Sequence, residues 1–279
     1  MRKISAVLSV LLCAVFLTAC GILPAIFAEP TAHATAPQET VSVTAVATLP
    51  TAQTLPQTQP TETVPPTVQE APVHSPLYMA DLPVEDVIGF FNEVCLNAEY
   101  INSGDPSVVQ KWTGPLIYQI HGEPTEEDLL TLENFAAQLN HIQGFPGMRQ
   151  AKYPEEATLN IHFCSHQEFL DLMGSNFYGA DGGVTFWYEQ NEIYNAIIGI
   201  RTDLSQDVRN SVILEEIYNG LGPVQDTRLR SDSIIFSDYS TPQALTLVDW
   251  LILDLLYHPD MQCGMDRQQC EEVIRSLYY

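Results

Sequence analysis

The sequence predicts an α+β domain with a small mixed sheet, placed after a long linker without regular structure. Three observations predict this class: apolar residues at helical spacing, segments in which apolar and polar residues alternate, and one pattern typical of a hairpin. The predicted order of elements is α-β-α-β-α-β-β-α-α-α, and the sequence shows no internal repeat. A few strands among many helices are typical of a domain that packs its helices against a small sheet.

The first four elements are predicted over residues 83–164. Apolar residues at helical spacing predict a helix over about 83–101. A short apolar run predicts a strand at 116–120, and a variant of the capping box begins a helix over about 125–142. Alternation of apolar and polar residues predicts a half-buried strand over 158–164.

The remaining elements form a short helix, a hairpin and three further helices. In order, they are a helix from a capping box at Ser165, a turn at Gly182-Gly183, strands at 184–188 and 193–200, and helices at about 205–221, 246–258 and 266–277. Asp203 or Ser205 is the expected N-cap of the helix that ends near Leu221. Gly222 then stands at the C′ position, where a residue with positive φ commonly ends a helix.

The N-terminal part of the chain has a composition that cannot support a folded core. Residues 29–75 contain 11 Thr, 8 Pro and 7 Ala, and they lack aromatic residues, Gly, Lys and Arg. Such a segment cannot bury enough apolar surface to offset its conformational entropy. We therefore expect a disordered Thr/Pro/Ala-rich tether within 20–75 and one domain over 76–279.

The first 20 residues have the pattern of a bacterial export signal. Met1-Arg2-Lys3 is cationic, and the segment from Ala6 to Phe16 is almost wholly apolar. Leu17-Thr18-Ala19-Cys20 resembles the lipobox, which implies a signal peptide over 1–19 and diacylation of Cys20, with palmitate as a typical acyl chain. Two acyl chains anchor a protein stably. The expected location is the bacterial cell membrane, with the domain on the extracytoplasmic side; a transmembrane anchor is the alternative.

The charge of the chain excludes one class of partner. Lys and Arg total 11 against 35 Asp and Glu, which gives a formal net charge of −24. A nucleic-acid-binding protein needs cationic side chains to neutralise phosphates. We therefore expect no nucleic-acid partner, and the only expected contact with a membrane is through the N-terminal lipid.

Four cysteines remain in the predicted domain after lipidation of Cys20. Four cysteines allow three disulfide connectivities, and an exported domain permits disulfides. Because Cys263 and Cys270 are close in sequence, we predict the pairs Cys263–Cys270 and Cys95–Cys164. Four free buried thiols are the alternative. A thiolate zinc cage is not expected, because the sequence contains no C-x-x-C pair.

Residues 215–225 read E-E-I-Y-N-G-L-G-P-V-Q and resemble the active-site helix of metzincin metalloproteases, H-E-x-x-H-x-x-G-x-x-H. In that motif two His one turn apart bind zinc, the Glu is the general base, and the Gly lets a third His reach the metal. The resemblance places Glu215, Asn219 and Gln225 at the three ligand positions. It places Glu216 at the base and Gly222 at the turn. All three His are replaced, so we expect a non-catalytic domain without a zinc ion or another cofactor.

The sequence after this helix extends the resemblance. Residues 233–236 stand where a metzincin has its Met-turn, although no Met is present, and 245–257 resembles a matrixin-type C-terminal helix. A bacterial family of lipoproteins with a domain of unknown function is more similar over about 85–279. The shared motifs are Glu215-Glu216, Asn219-Gly-Leu-Gly222, Asp226, Ser233-Ile-Ile-Phe-Ser-Asp238, Leu245-Thr246, Asp249, Leu256-Tyr257-His-Pro259 and Gly264-Met265. This resemblance implies a zincin-like fold and an extracytoplasmic compartment, but no reaction.

The substituted site and one aromatic residue lead to three functional hypotheses. Glu215, Asn219, Gln225 and Asp226 offer oxygen ligands, which suit Ca²⁺ or Mg²⁺ better than zinc. Trp187 is a candidate to line a cleft beside the helix at 205–221, because zincins bind extended peptides along an edge strand. We expect a module that binds an extracytoplasmic peptide or protein. A metallohydrolase with oxygen ligands and a structural envelope protein without a ligand are the alternatives.

Overall fold

The computed structural model describes residues 82–96, 107–238 and 240–278, and the backbone of residues 7–9. The predicted signal peptide and tether, with Cys20, lie outside these ranges apart from residues 7–9. The strands of the described part are β1 (Val7–Ser9), β2 (Lys111–Trp112), β3 (Leu116–Gly122), β4 (Met148–Gln150), β5 (Leu159–Cys164), β6 (Gly182–Glu189) and β7 (Glu192–Arg201). The helices are α1 (Val84–Leu96), α2 (Glu126–Leu139), α3 (His166–Met173), α4 (Gln206–Gly220), α5 (Leu247–Leu256) and α6 (Arg267–Tyr278).

The strands form one mixed sheet in the order β1-β6-β7-β5-β3-β4, and β2 pairs with the start of β7. The strands β3, β4, β5 and β7 are parallel to one another, whereas β6 is antiparallel to β7. β1 lies parallel to β6 along the outer side of that strand. The predicted α+β class with a mixed sheet is therefore confirmed.

Local sequence signals explain where the main helices begin and end. Thr125, Ser165 and Thr246 each form a capping box with the acidic side chain three residues later. These boxes satisfy backbone N–H groups that have no partner inside the helix. At the other end of α4, Gly222 adopts a φ of +132°, and a Cβ there would lie 2.6 Å from the backbone oxygen of Gln110. The predicted C′ glycine is confirmed.

The glycine pair at 182–183 begins β6 and does not form the turn that the sequence predicts. The reason is close packing on both faces of the strand. A Cβ on Gly182 would lie 2.4 Å from Cγ1 of Val212, and one on Gly183 would lie 2.4 Å from Cδ1 of Phe177. Real Cβ atoms do not approach so closely, so these positions require residues without a side chain. The true hairpin turn is at Gln190-Asn191, which adopt φ values of 51° and 67°.

The two faces of the sheet carry separate hydrophobic clusters. The main core lies on one face and contains Val184, Ile198 and the apolar faces of α1, α2, α4, α5 and α6. The opposite face, which we call the outer face, carries a small cluster of Cys164, Phe169, Met173, Phe177 and Ala180. Because side chains alternate along a strand, parity assigns the residues of β6 up to Trp187, and those of β7 from Asn195 onward, to one face. A register shift interrupts the pairing between Trp187 and Tyr188.

Candidate functional site

The helix α4 carries the residues that the motif resemblance assigned to zinc ligands and to a general base. Glu215 and Glu216 are each 2% exposed, and Asn219 is fully buried. Both polar atoms of the Asn219 side chain lack a hydrogen-bond partner among the described residues. Glu216 faces β6, since a Cβ on Gly182 would lie 3.1 Å from its Oε1. These three side chains therefore lie inside the domain.

The other two motif residues, Gln225 and Asp226, lie in the segment after Gly222 and are half-buried. The backbone N–H of Gln225 donates to the carbonyl of Val94 on α1 at 3.3 Å. Its side-chain amide donates to the carbonyl of Asp226 at 3.1 Å. Gln225, at the third ligand position, is thus held by hydrogen bonds to α1 and to Asp226.

The loop at the predicted Met-turn position is held by Asp249 at the start of α5. Ser233 Oγ donates to Asp249 Oδ1 at 2.6 Å, and the backbone N–H of Ile234 donates to Oδ2 at 3.1 Å. The backbone and side chain of Thr246 donate to the same Oδ2, both at 2.9 Å. Burial nevertheless raises the pKa of Asp249, and these hydrogen bonds partly oppose the shift. A buried carboxylate with four donors fixes this loop against α5.

Trp187 does not line a cleft beside α4, which corrects that expectation. It pairs in register with Asn195, whereas its neighbour Phe186 pairs with Ala196 in the main core. Because α4 packs on the main-core face, Trp187 points to the outer face. It is half-buried there. The strand was predicted correctly, but the sequence contains no signal for the face of the sheet on which α4 packs.

The predicted disulfides Cys95–Cys164 and Cys263–Cys270 are not present, and all four cysteines are unpaired. Cys95 lies in the main core and Cys164 lies in the cluster on the outer face, so the sheet separates these two thiols. The thiols of Cys263 and Cys270 approach different carbonyls, those of Lys111 at 3.8 Å and Met265 at 3.9 Å. Proximity in sequence therefore did not predict which cysteines face each other.

An open cleft of about 750 Å³ lies where the parallel strands β3, β5 and β7 end. Its lining comprises Gly122, Glu123, His162, Phe163, Cys164, Ser165, Glu168, Leu172 and Thr202. The carboxyl ends of parallel strands are a usual place for ligands. The sequence patterns described above do not predict this cleft. The available signal for the cleft was the polar residues that follow the strands predicted at 116–120 and 158–164.

Two histidines stack beside this cleft. The rings of His121 and His162 lie 4.3 Å apart and 11° from parallel, and His121 Nε2 is 2.9 Å from Asn160 Oδ1. Burial lowers the pKa of His162, and the nearby charge of His121 lowers it further. Burial raises the pKa of Cys164 to about 11, so its thiol stays protonated. The cleft therefore presents neutral side chains and two carboxylates, which disfavour anionic ligands.

The described residues contain no group of three or more His, Cys, Asp or Glu side chains arranged to hold a metal ion. No helix in the same part of the chain is long and apolar enough to cross a membrane.

Comparison with known proteins identifies a family. A family model described as "Protein of unknown function (DUF2927)" matches residues 85–276. No curated protein and no solved structure matches the chain. The matched range covers more than half of the chain and runs from the first turn of α1 to the last turns of α6. The chain therefore belongs to the DUF2927 family of proteins of unknown function.

Proposed function

We propose that this protein is a lipid-anchored envelope protein whose domain binds an extended peptide along the outer edge of β6. The observation that carries the proposal is the backbone pairing of that edge. Val7–Ser9 adds to it as a parallel strand, in register with Val184–Phe186. Removal of the predicted signal peptide at Cys20 would take this strand away. The backbone N–H and C=O groups on that side of β6 would then be available to another extended segment.

The position of Trp187 supports the same edge. Ser9 pairs with Phe186, so a longer added strand would continue directly beside Trp187. Trp187 is half-buried and lies on the outer face, away from α4. A large aromatic side chain next to an edge strand supplies apolar contact area for alternate side chains of a bound peptide. We expect it to provide selectivity, while the backbone of β6 provides the general affinity.

We also propose a zincin-like relationship for the domain, with the catalytic site lost. The order of elements supports it, because a hairpin precedes the motif helix and that helix packs on the sheet beside the hairpin. The turn at Gly222 and the fixed loop at 233–236 follow in the expected order. Burial of Glu215, Glu216 and Asn219 favours a reused scaffold over the alternative of a metallohydrolase, because a substrate needs access to the reacting groups.

The test uses the chain from residue 20 with Cys20→Ser, which removes the leader and the lipid. The probe is a synthetic peptide of residues 4–11 of this chain. We expect saturable binding by calorimetry and slower amide hydrogen exchange at Val184–Phe186 when the peptide is present. Trp187→Ala should weaken binding at least about tenfold.

Tyr194→Ala is the matched control, because Tyr194 is a 53% exposed aromatic residue on the neighbouring strand. This variant should bind the peptide as the parent chain does. Absence of saturable binding, or protection confined to other strands, would contradict the proposal and favour a structural envelope protein. Binding or hydrolysis that disappears with a chelator and with Glu216→Gln would instead favour the metallohydrolase.

A further inference from the structure

Three of the four domain cysteines lie on α1, on α6 and in the turn before α6, and these two helices contact each other. Cys95 is on α1, Cys270 is on α6, and Cys263 is in the turn before α6. Cys95 is 4% exposed and Cys270 is fully buried, and both belong to the main core. Cys263 is half-buried. Cys164 is separated from this group by the sheet.

Two side-chain contacts between α1 and α6 set the relative position of the cysteines on these helices. Arg275 Nη1 donates to Glu85 Oε1 at 2.6 Å, and Asn92 Nδ2 donates to Glu271 Oε1 at 3.1 Å. Residue numbers rise along α1 as they fall along α6, so the two helices run antiparallel.

Cys95 lies about one turn beyond Asn92 on α1, and Cys270 directly precedes Glu271 on α6. One turn along a helix returns to the same face, so Cys95 projects into the interface with α6. Burial raises the pKa of Cys95, and the charge of Cys270 raises it further, as expected for neighbouring thiols. The helix contacts and the electrostatic coupling therefore both place Cys95 and Cys270 at the buried interface between α1 and α6.

We propose that Cys95 and Cys270 form a disulfide in the exported protein and that Cys263 and Cys164 remain free thiols. This inference rests on the proposed envelope location, because exported compartments permit disulfides and the cytosol does not. The bond would tie α1, the first helix of the domain, to α6, the last.

The oxidation is an exchange with a disulfide donor, either a protein or a small molecule. The Cys270 thiolate attacks one sulfur of the donor, forms a mixed disulfide and releases one donor thiolate. The Cys95 thiolate then attacks the Cys270 sulfur and releases the second donor thiolate. Both cysteine protons pass to the donor sulfurs, so a protein donor is reduced to a dithiol and a small-molecule donor to two separate thiols. Burial raises the pKa of Cys270 to about 12, so we expect the exchange before α6 is fully packed.

The test is peptide mapping of the full chain, exported from cells with its own leader and alkylated without reduction. We expect a cross-linked peptide pair that contains Cys95 and Cys270, and alkylated Cys263 and Cys164. Reduction should lower the melting temperature by about 5–10 °C. Cys270→Ala should abolish both effects. Cys164→Ala is the matched control and should change neither. A Cys263–Cys270 bond, or four alkylated cysteines in exported protein, would overturn the proposal.

A second arm separates this proposal from the question of location. The chain from residue 20 with Cys20→Ser is purified from the cytosol and refolded in a glutathione redox buffer. Formation of the Cys95–Cys270 bond there supports the geometry, even if fractionation finds the native protein in the cytosol and so contradicts the envelope location. Failure to form the bond in this buffer overturns the disulfide proposal, whatever the location.

Discussion

Two aspartates on α5 show how hydrogen bonding decides the state of a buried carboxyl group. Asp249 accepts hydrogen bonds from Ser233, Ile234 and Thr246. These hydrogen bonds compensate its charge and hold the loop at 233–236. Asp254 is 8% exposed, and its Oδ2 has no hydrogen-bond partner among the described residues. Burial raises the pKa of Asp254 to about 7. The first group stabilises a loop, whereas the second opposes folding when it is ionised.

We predict that Asp254→Asn makes the domain more stable at alkaline pH. The folded chain keeps the Asp254 proton up to about pH 7, whereas the unfolded chain releases it near pH 4. The free energy of unfolding therefore falls as pH rises between these values, by at most about 4 kcal/mol. The melting temperature of the variant should exceed that of the parent increasingly from pH 5 to pH 8.

Asp260→Asn is the control for this comparison, because the Asp260 side chain is 70% exposed. Its melting temperature should follow that of the parent at every pH. If the curves of Asp254→Asn and the parent run parallel between pH 5 and pH 8, Asp254 does not carry the proposed proton.

At the scale of elements, α4 is held by two kinds of contact. On the sheet, Gly182 and Gly220 let it approach β6 and β7 closely. Near its N-terminus, the buried Arg209 Nε donates to Asp128 Oδ1 of α2 at 3.0 Å, and Gln206 Nε2 donates to the same oxygen at 2.6 Å. The helix therefore has little freedom to move away from the sheet and expose Glu215 and Glu216.

We predict that Gly182→Ala destabilises the domain by about 1–3 kcal/mol, because the new Cβ would lie 2.4 Å from Val212 Cγ1. Gly114→Ala is the matched control, since a Cβ there meets no atom within 4 Å. Its effect should stay within about 0.5 kcal/mol. Urea unfolding of both variants measures these free energies. Equal stability of the two variants would contradict the close packing of β6 on α4.

For the whole molecule, one sheet separates two environments. The main core buries the former motif residues, while the outer face carries Trp187 and His162, and the open cleft lies at the ends of the parallel strands. Any ligand of this domain is therefore more accessible from the outer face or from the β6 edge than from α4. The high negative charge favours cationic or neutral ligands.

We predict that Cys20→Ala abolishes lipid attachment and leaves the precursor uncleaved. The lipobox resemblance assigns the acyl chains to this thiol, and stable anchoring needs two of them. Metabolic labelling with a palmitate analogue measures lipid attachment, and mass spectrometry of the intact chain measures cleavage. Cys13→Ala is the control, because Cys13 lies inside the predicted leader and should not affect labelling. Unchanged labelling of the Cys20 variant would contradict lipidation at this residue, and a parent chain that carries no label would favour a transmembrane anchor.

A structural feature could be predicted from the sequence when the residues that determine it lie close together in the chain. The capping boxes at Thr125, Ser165 and Thr246 and the C′ glycine at 222 could be predicted, because each involves contacts within a few residues. The strands β2 and β4 were missed, because two or three residues are too few to show a period of two. The turn predicted at Gly182-Gly183 was wrong, because these glycines are required by the close approach of α4 and Phe177, which are distant in sequence.

The sequence by itself determined the α+β class, the order of the main helices and strands, and the motif that aligns Glu215, Glu216 and Asn219 on one helix. These properties follow from local periodicity and from composition. Only the tertiary structure decided that Trp187 and Cys164 lie on the outer face, that the motif residues are buried, and that the helices carrying Cys95 and Cys270 contact each other. The physical reason is that the face of a sheet, the burial of a site and the proximity of two thiols depend on elements far apart in the chain.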